Sequence, residues 1–189
     1  MTPIVTERLV IRNWRAGDRP LFRLINSDPL VMRFFPIRRT ADEADRLMDV
    51  LAANIDRDGF GFAALELRGS GACIGFCGLH RTDAVPSLPN GAVEIGWRLA
   101  PDHQGHGYVT EAAEAWLAHG FETLGLPEIV SFAVWNNERS TAVMRRIGMH
   151  HDPAADFDHA AVPDTHPHLR RHVLYRIGAK EWREKKRRT

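Results

Sequence analysis

Val93-Glu94-Ile95-Gly96-Trp97-Arg98-Leu99-Ala100-Pro101-Asp102-His103-Gln104-Gly105-His106-Gly107-Tyr108-Val109-Thr110-Glu111-Ala112-Ala113 is the stretch that decides the reading of this chain. It reads as a strand, a glycine-bearing loop and the first turn of a helix. Glycines at 105 and 107 let the main chain approach a ligand with no Cβ in the way. The free amides of Gly105, His106, Gly107, Tyr108, Val109 and Thr110 then converge on one spot, which suits a phosphate. The spacing excludes two common phosphate loops: a dinucleotide fingerprint needs a third glycine, and a nucleoside triphosphate loop needs Gly-Lys-Ser/Thr. The competing reading is a strand-turn-helix connection with a glycine cap and no ligand.

Outward from this stretch, the pattern alternates between β and α signals. Upstream, residues 4–12 fit one first strand, and Asp18 is placed to cap a helix from 19 to about 26. Thr40-x-x-Glu43 is a capping box for a helix that runs to about 55. Residues 60–67 and 72–80 form a hairpin pattern around Gly69-Ser70-Gly71, and a proline-bearing loop at 83–91 leads into the Val93 strand. Downstream, Ala113, Trp116, Leu117, Phe121 and Leu124 recur at helical spacing from Thr110 until Gly125. A buried-type strand at 129–135, a helix capped by Asn137 and ended by Gly148, a His-rich loop and a last strand at 172–177 follow. This order predicts an α/β (α+β) class with long antiparallel stretches around one crossover helix. We expect one domain over residues 1–179 and a basic tail over 180–189, containing Lys185-Lys186-Arg187-Arg188.

Composition narrows the function classes. With 189 residues, 44% of them hydrophobic, the chain can bury the core of one domain. Its 25 basic and 24 acidic residues nearly cancel, so no global field draws it to nucleic acid or to a membrane surface. There is no long apolar span, signal peptide or lipidation signature, which gives a cytoplasmic expectation. Cys73 and Cys77, four residues apart in an apolar run, read as buried reduced thiols.

A second motif, Asn137-x-x-Ser140 with Met144 and Ile147-Gly148-Met149, lies downstream of Gln104-x-x-Gly107-x-Val109. The pair, in this order, resembles motifs B and A of the GCN5-related N-acetyltransferases. Thr6-Glu7-Arg8-Leu9, Ile74-Gly75-Phe76-Cys77-Gly78-Leu79 and Arg171-His172-Val173-Leu174-Tyr175 are similar to the Rim-type, ribosomal-protein-acetylating branch. The resemblance implies a mixed, mostly antiparallel sheet in which the Val93 and Ile129 strands are parallel but splay into a slot, with flanking helices. It implies that acetyl-coenzyme A is the co-substrate. Gln104 and residues 105–110 would hold its pyrophosphate, the main chain of Trp97 and Leu99 its pantetheine arm, and Asn137 and Ser140 would lie on its other side. The sequence departs from the family at Val109, where glycine or alanine is preferred, and at Met144, where many members carry a tyrosine acid.

Acyl transfer to an amine needs a base, a donor for the developing oxyanion and an acid for the thiolate. Glu94, acting through a water, is the preferred base, because Glu111 is better explained as complementing a helix N-terminus. The Leu99 amide is the oxyanion candidate and Ser140 the acid. A chain-terminal amine, with a free pKa of ~7.7 to 8, needs less help than a lysine amine at ~10.4. The favoured acceptor is therefore a protein or peptide N-terminal α-amine. A small-molecule amine such as an aminoglycoside or polyamine, and a non-catalytic acyl-coenzyme A binding module, are the alternatives. Asp158 and His159, in a loop resembling the acceptor wall of close relatives, and Arg33, Phe34 and Phe35 opposite, are the candidate acceptor contacts. The spacing of the histidines and aspartates from 156 to 172 matches no standard metal site, so no metal is expected. Nor is nucleic acid, since the basic tail lacks a stacking pattern. The expected assembly is a monomer or homodimer.

Overall fold

The alternating segments pair as a mixed sheet in the computed structural model, which describes residues 1–187. The chain divides into two units: Met1–His80 with Gly96–Ala115, and Arg81–Ile95 with the chain from Trp116 onward. Among the described residues there are nine strands and five α-helices.

The first unit begins with β1 (Ile4–Val5) and β2 (Leu9–Arg12), paired antiparallel with Ile4 opposite Ile11. This corrects the single strand expected over residues 4–12. Thr6 donates its amide to the Leu9 carbonyl at 2.9 Å, closing a turn that folds the segment back on itself. The helices α1 (Arg19–Ser27) and α2 (Ala41–Asp58) follow, then β3 (Phe62–Leu67), most of β4 (Cys73–Thr82) and the C-terminal half of β5 (Ala92–Leu99). The sheet order here is β1-β2-β3-β4-β5. Its apolar positions, Leu9, Ile11, Ala63, Leu65 and Ile74, are fully buried, as are Phe22, Ile25 and Ile55 from the helices. The capping box forms: the Thr40 hydroxyl accepts the Glu43 amide at 3.3 Å and the Glu43 carboxylate accepts the Thr40 amide at 2.8 Å.

Asp18 does not cap α1 with its side chain, contrary to expectation. A stronger partner takes it: Arg12 donates to both of its oxygens at 2.7 and 2.9 Å inside the core, and the Arg15 amide adds a third bond at 2.8 Å. Charge-assisted bidentate pairing outweighs a helix cap. Arg12 also reaches Glu66 at 2.6 Å, so this buried cation has two carboxylates. The unit closes with the start of α3 (Tyr108–Ala118), two residues earlier than Thr110.

In the second unit the N-terminal half of β5 runs parallel to β6 (Glu128–Val134), with Glu94 opposite Val130. The Ser131 hydroxyl donates to the Ile95 carbonyl at 2.8 Å, tying the same two strands. After its last turn α3 widens into a π-helical turn, His119–Thr123, so the regular helix expected as far as Gly125 stops at Ala118. Beyond β6 come α4 (Glu138–Arg146), β7 (His150–His151), β8 (Phe157–Asp158) and β9 (Arg171–Gly178). β9 lies antiparallel to β6, and it also pairs with β7 and β8. Residues expected to form a tail instead form α5 (Ala179–Lys186). Its anchor is Trp182, buried with its ring 6.0 Å from Phe121. Arg188 and Thr189, which the expected basic tail included, lie outside the described residues.

Candidate functional site

In the first unit the chain leaves β5 at Leu99, makes one 3-10 turn over Pro101–His103, and enters α3 through two glycines. Gly105 and Gly107 have φ of +85° and +80°, a region that a Cβ penalises. A Cβ at Gly105 would meet nothing within 4 Å, and one at Gly107 would lie 3.4 Å from a terminal nitrogen of Arg8. The loop face is therefore open, and it is exposed from Gly105 to Gly107. The first turn-type bond of this segment is the Glu111 amide to the Gly107 carbonyl at 3.1 Å; among the described residues no amide from Gly105 to Thr110 makes a loop or cap bond. These are the orphan donors of a helix start, at the positive end of its dipole.

Other side chains brace the loop. The Gln104 amide donates to the Leu99 carbonyl at 3.1 Å, linking the loop to the end of β5. Arg8 donates to the His106 carbonyl at 2.9 Å and lies over the Tyr108 ring at 4.7 Å. Glu111 accepts the Arg8 amide at 2.8 Å and its Nε at 2.6 Å, together with the Thr6 hydroxyl. Partial burial opposes ionisation of Glu111, but these bonds hold its carboxyl below the ordinary range. A carboxylate so engaged is a brace, not a base. Trp97 is half-buried and Leu99 buried; Val109 and Thr110 are half-buried in the first turn of α3. Of the expected acceptor residues in this unit, Arg33 lies over the Phe34 ring at 4.4 Å, and Phe35 lies over Arg98 at 4.3 Å.

In the second unit Glu94 is half-buried, and loss of hydration pushes its carboxyl up to about 7. A carboxylate in this state can exchange a proton near neutral pH. Asn137 caps α4, its side-chain oxygen accepting the Ser140 amide at 3.3 Å. Ser140 itself is half-buried, and Met144 is buried in the core and has no proton to donate. His159 and His172 have ring centroids 5.0 Å apart and lie against Phe132 and Phe157. Burial lowers both imidazoles. Asp158 is exposed, with Arg171 3.8 Å away.

Three residues in these settings had not been singled out: Arg8, Ser131 and Arg98. Arg8 bonds the phosphate-type loop from a distant part of the sequence, which no local pattern reveals. Ser131 reads as a small residue in an apolar strand. Arg98 carried a visible signal, being a cation in the middle of a half-apolar strand.

The acetyltransferase (GNAT) domain family matches residues 8–150, well over half of the chain and a span that draws on both units. The chain belongs to this family and is an acyltransferase. It is 33% identical over 116 residues to "Putative ribosomal N-acetyltransferase YdaF" of Bacillus subtilis, a match covering 61% of this chain and 59% of that protein. This agrees with the Rim-like branch. The crystal structure of an acetyltransferase from Agrobacterium tumefaciens is 30% identical with a TM-score of 0.74, covering 94% of each chain. A Vibrio cholerae spermidine N-acetyltransferase solved with CoA and spermine has a TM-score of 0.72 at 16% identity, covering 94% of this chain and 99% of that one, which shows the shared fold alone. Enzymes of this family use acetyl-coenzyme A. No helix among the described residues is long and apolar enough to cross a membrane.

Proposed function

We propose that this chain transfers the acetyl group of acetyl-coenzyme A to a primary amine, with a protein or peptide N-terminal α-amine as the favoured acceptor. The observation that carries the reading is the set of unbonded amides from Gly105 to Thr110, open to an anion because two glycines hold the loop. They suit a diphosphate, with Gln104 fixing the loop against β5 and Glu111 and Arg8 bracing it from behind. Acetyl-coenzyme A supplies an activated thioester, and the chain's own residues bind it, orient the amine and move the protons. The main chain of Trp97 and Leu99 and the side chain of Asn137 are the remaining binding groups. Glu94 takes the proton of the amine through a water, its raised carboxyl being matched to that task. The Leu99 amide stabilises the oxygen that gains charge, and the Ser140 hydroxyl returns a proton to the departing sulfur. An α-amine is favoured because its own pKa of ~7.7 to 8 makes a single modest base sufficient.

The deciding experiment is a thiol-release screen with acetyl-coenzyme A against peptides beginning with Ser, Ala or Met, against spermidine and against an aminoglycoside. Turnover of the peptides above the others is the expected result. Turnover confined to spermidine or the aminoglycoside would replace the peptide acceptor with a small polyamine or aminosugar.

A further inference from the structure

Arg98 is a half-buried cation with no carboxylate partner among the described residues. Arg12, buried in the same unit, has two, Asp18 and Glu66. The Arg98 guanidinium has five N–H donors. One of them, on Nη1, reaches the Asn26 side-chain oxygen at 2.6 Å, and that acceptor is neutral. Its Nε is buried with no hydrogen-bond partner. The rings of Phe35 and Phe76, 4.3 and 5.4 Å from the guanidinium carbon, contribute cation–π attraction that only partly offsets the lost hydration. Burial, with repulsion from Arg39 second, lowers the Arg98 pKa to about 10. A buried, under-satisfied cation destabilises the fold unless something completes it.

The group is also held in place. Asn26 is fully buried, its side-chain nitrogen donates to the Phe22 carbonyl at 2.7 Å, and its main-chain oxygen accepts the Arg39 amide at 2.9 Å. Its oxygen therefore faces Arg98 in a fixed orientation. Phe35, which covers the guanidinium, is 44% exposed, so the cover is a solvent-facing ring and not core. Phe35 already belongs to the expected acceptor contacts.

We propose that the acceptor amine carries a carboxylate and that Arg98, oriented by Asn26 and flanked by Phe35 and Phe76, receives it. Arg98 is thus a specificity-determining residue that favours acidic amines and disfavours polycations, whose charge it and Arg39 repel. The proposal rests on the acetyl-transfer reading above and names its substrate class. A carboxylate from the second residue of a peptide and one from a free amino acid offer the same chemistry, and two matched pairs separate them. The first pair is Ser-Glu- and Ser-Gln-initiated peptide amides; the second is serine and serinamide.

The expected result is that in at least one pair the carboxylated member is acetylated with a kcat/KM about tenfold or more above its amide, the worth of one charge-assisted bond. In Arg98→Met that ratio falls to near one. Arg98→Gln, which keeps a donor toward Asn26, loses the preference likewise and serves if the methionine variant fails to fold. Equal rates within both pairs, or a preference that survives both substitutions, would overturn the proposal. If no amine is acetylated, the transfer reading has failed, and carboxylate capture is read alone by thermal denaturation. Stabilisation by glutarate but not by glutaramide, lost in the variants, supports it; no difference between the two compounds overturns it.

Discussion

Replacing Glu94 with glutamine should make the protein more stable and less active, and the stability gain should appear only as the pH rises. Burial pushes the Glu94 carboxyl up to about 7, whereas in the unfolded chain it titrates near ~4.3. Below ~4 both states hold the proton and the residue costs nothing. Between that value and 7 the unfolded chain releases a proton that the folded chain retains, so stability falls by ~1.4 kcal/mol per pH unit. Above 7 the loss levels off at ~3.7 kcal/mol, an upper value because a half-buried carboxylate keeps some water. Glutamine has the same shape and never ionises. The stability difference between Glu94→Gln and the parent, measured by urea denaturation, should therefore be no more than about half a kcal/mol around pH 4.5 and reach ~1 to 3 kcal/mol at pH 8.5.

Activity should move the other way. The base must be ionised, so kcat/KM of the parent should rise through about pH 7 and then level, apart from any titration of the acceptor amine. In the variant the limb that belongs to Glu94 disappears and the rate falls by ~10²- to 10⁴-fold, the usual worth of a general base. A stability difference that is the same at both pH values would refute the desolvated carboxylate. A variant that keeps the parent rate would refute its role as base.

Gly107→Glu should abolish acetyl-coenzyme A binding by titration calorimetry while circular dichroism stays native. It sets a carboxylate among the open amides and forces a side chain into φ +80°. Ser140→Ala leaves the Asn137 cap intact, since that cap uses the Ser140 main chain. It should lower kcat by about tenfold or more without changing the KM for acetyl-coenzyme A, in steady-state thiol release. Asp18→Asn should cost ~3 kcal/mol in urea denaturation by leaving the buried Arg12 with one carboxylate. Burial works against the Asp18 charge, but Arg12 and the Arg15 amide hold its carboxyl below the ordinary range. Its stabilisation is thus present above that range and is lost as pH falls through the depressed value, a loss that an acid titration of the variant should lack.

Local signals in the sequence were strong enough to place most elements. The Thr40-x-x-Glu43 box, the 69–71 turn and the two glycines of the phosphate-type loop each act within a few residues, and each appears where it was expected. Two of the errors share one physical origin, a long-range partner that outcompetes a local preference. Asp18 is a good helix cap by type, yet Arg12 takes both of its oxygens. The last ten residues look like a solvated basic end, yet Trp182 buries against Phe121 and makes residues 179–186 helical. At the candidate site Glu111 could be set apart from Glu94 by its place at a helix N-terminus, but its actual partners, Arg8 and Thr6, and the burial that pushes the Glu94 carboxyl up are visible only in three dimensions.

The arginines of the first unit extend that argument. Arg8, Arg12 and Arg98 all sit in or beside strands whose neighbours are apolar, and nothing in their local sequence separates them. Their settings differ in what lies across from them: Glu111 for Arg8, Asp18 and Glu66 for Arg12, and for Arg98 a neutral asparagine and two aromatic rings. A chain that needed Arg98 only for packing would do better with methionine or leucine at that position, because a desolvated, unpaired cation destabilises the fold while its stem packs no better than theirs. Arg98→Met should accordingly leave stability unchanged or raise it, by up to ~1 to 4 kcal/mol, the range seen when buried charges give way to apolar side chains. A large fall in its melting temperature would show that the stacked guanidinium holds the fold together by itself. In that case stability no longer speaks for a missing partner, and the rate comparison with Arg98→Gln decides the carboxylate assignment alone.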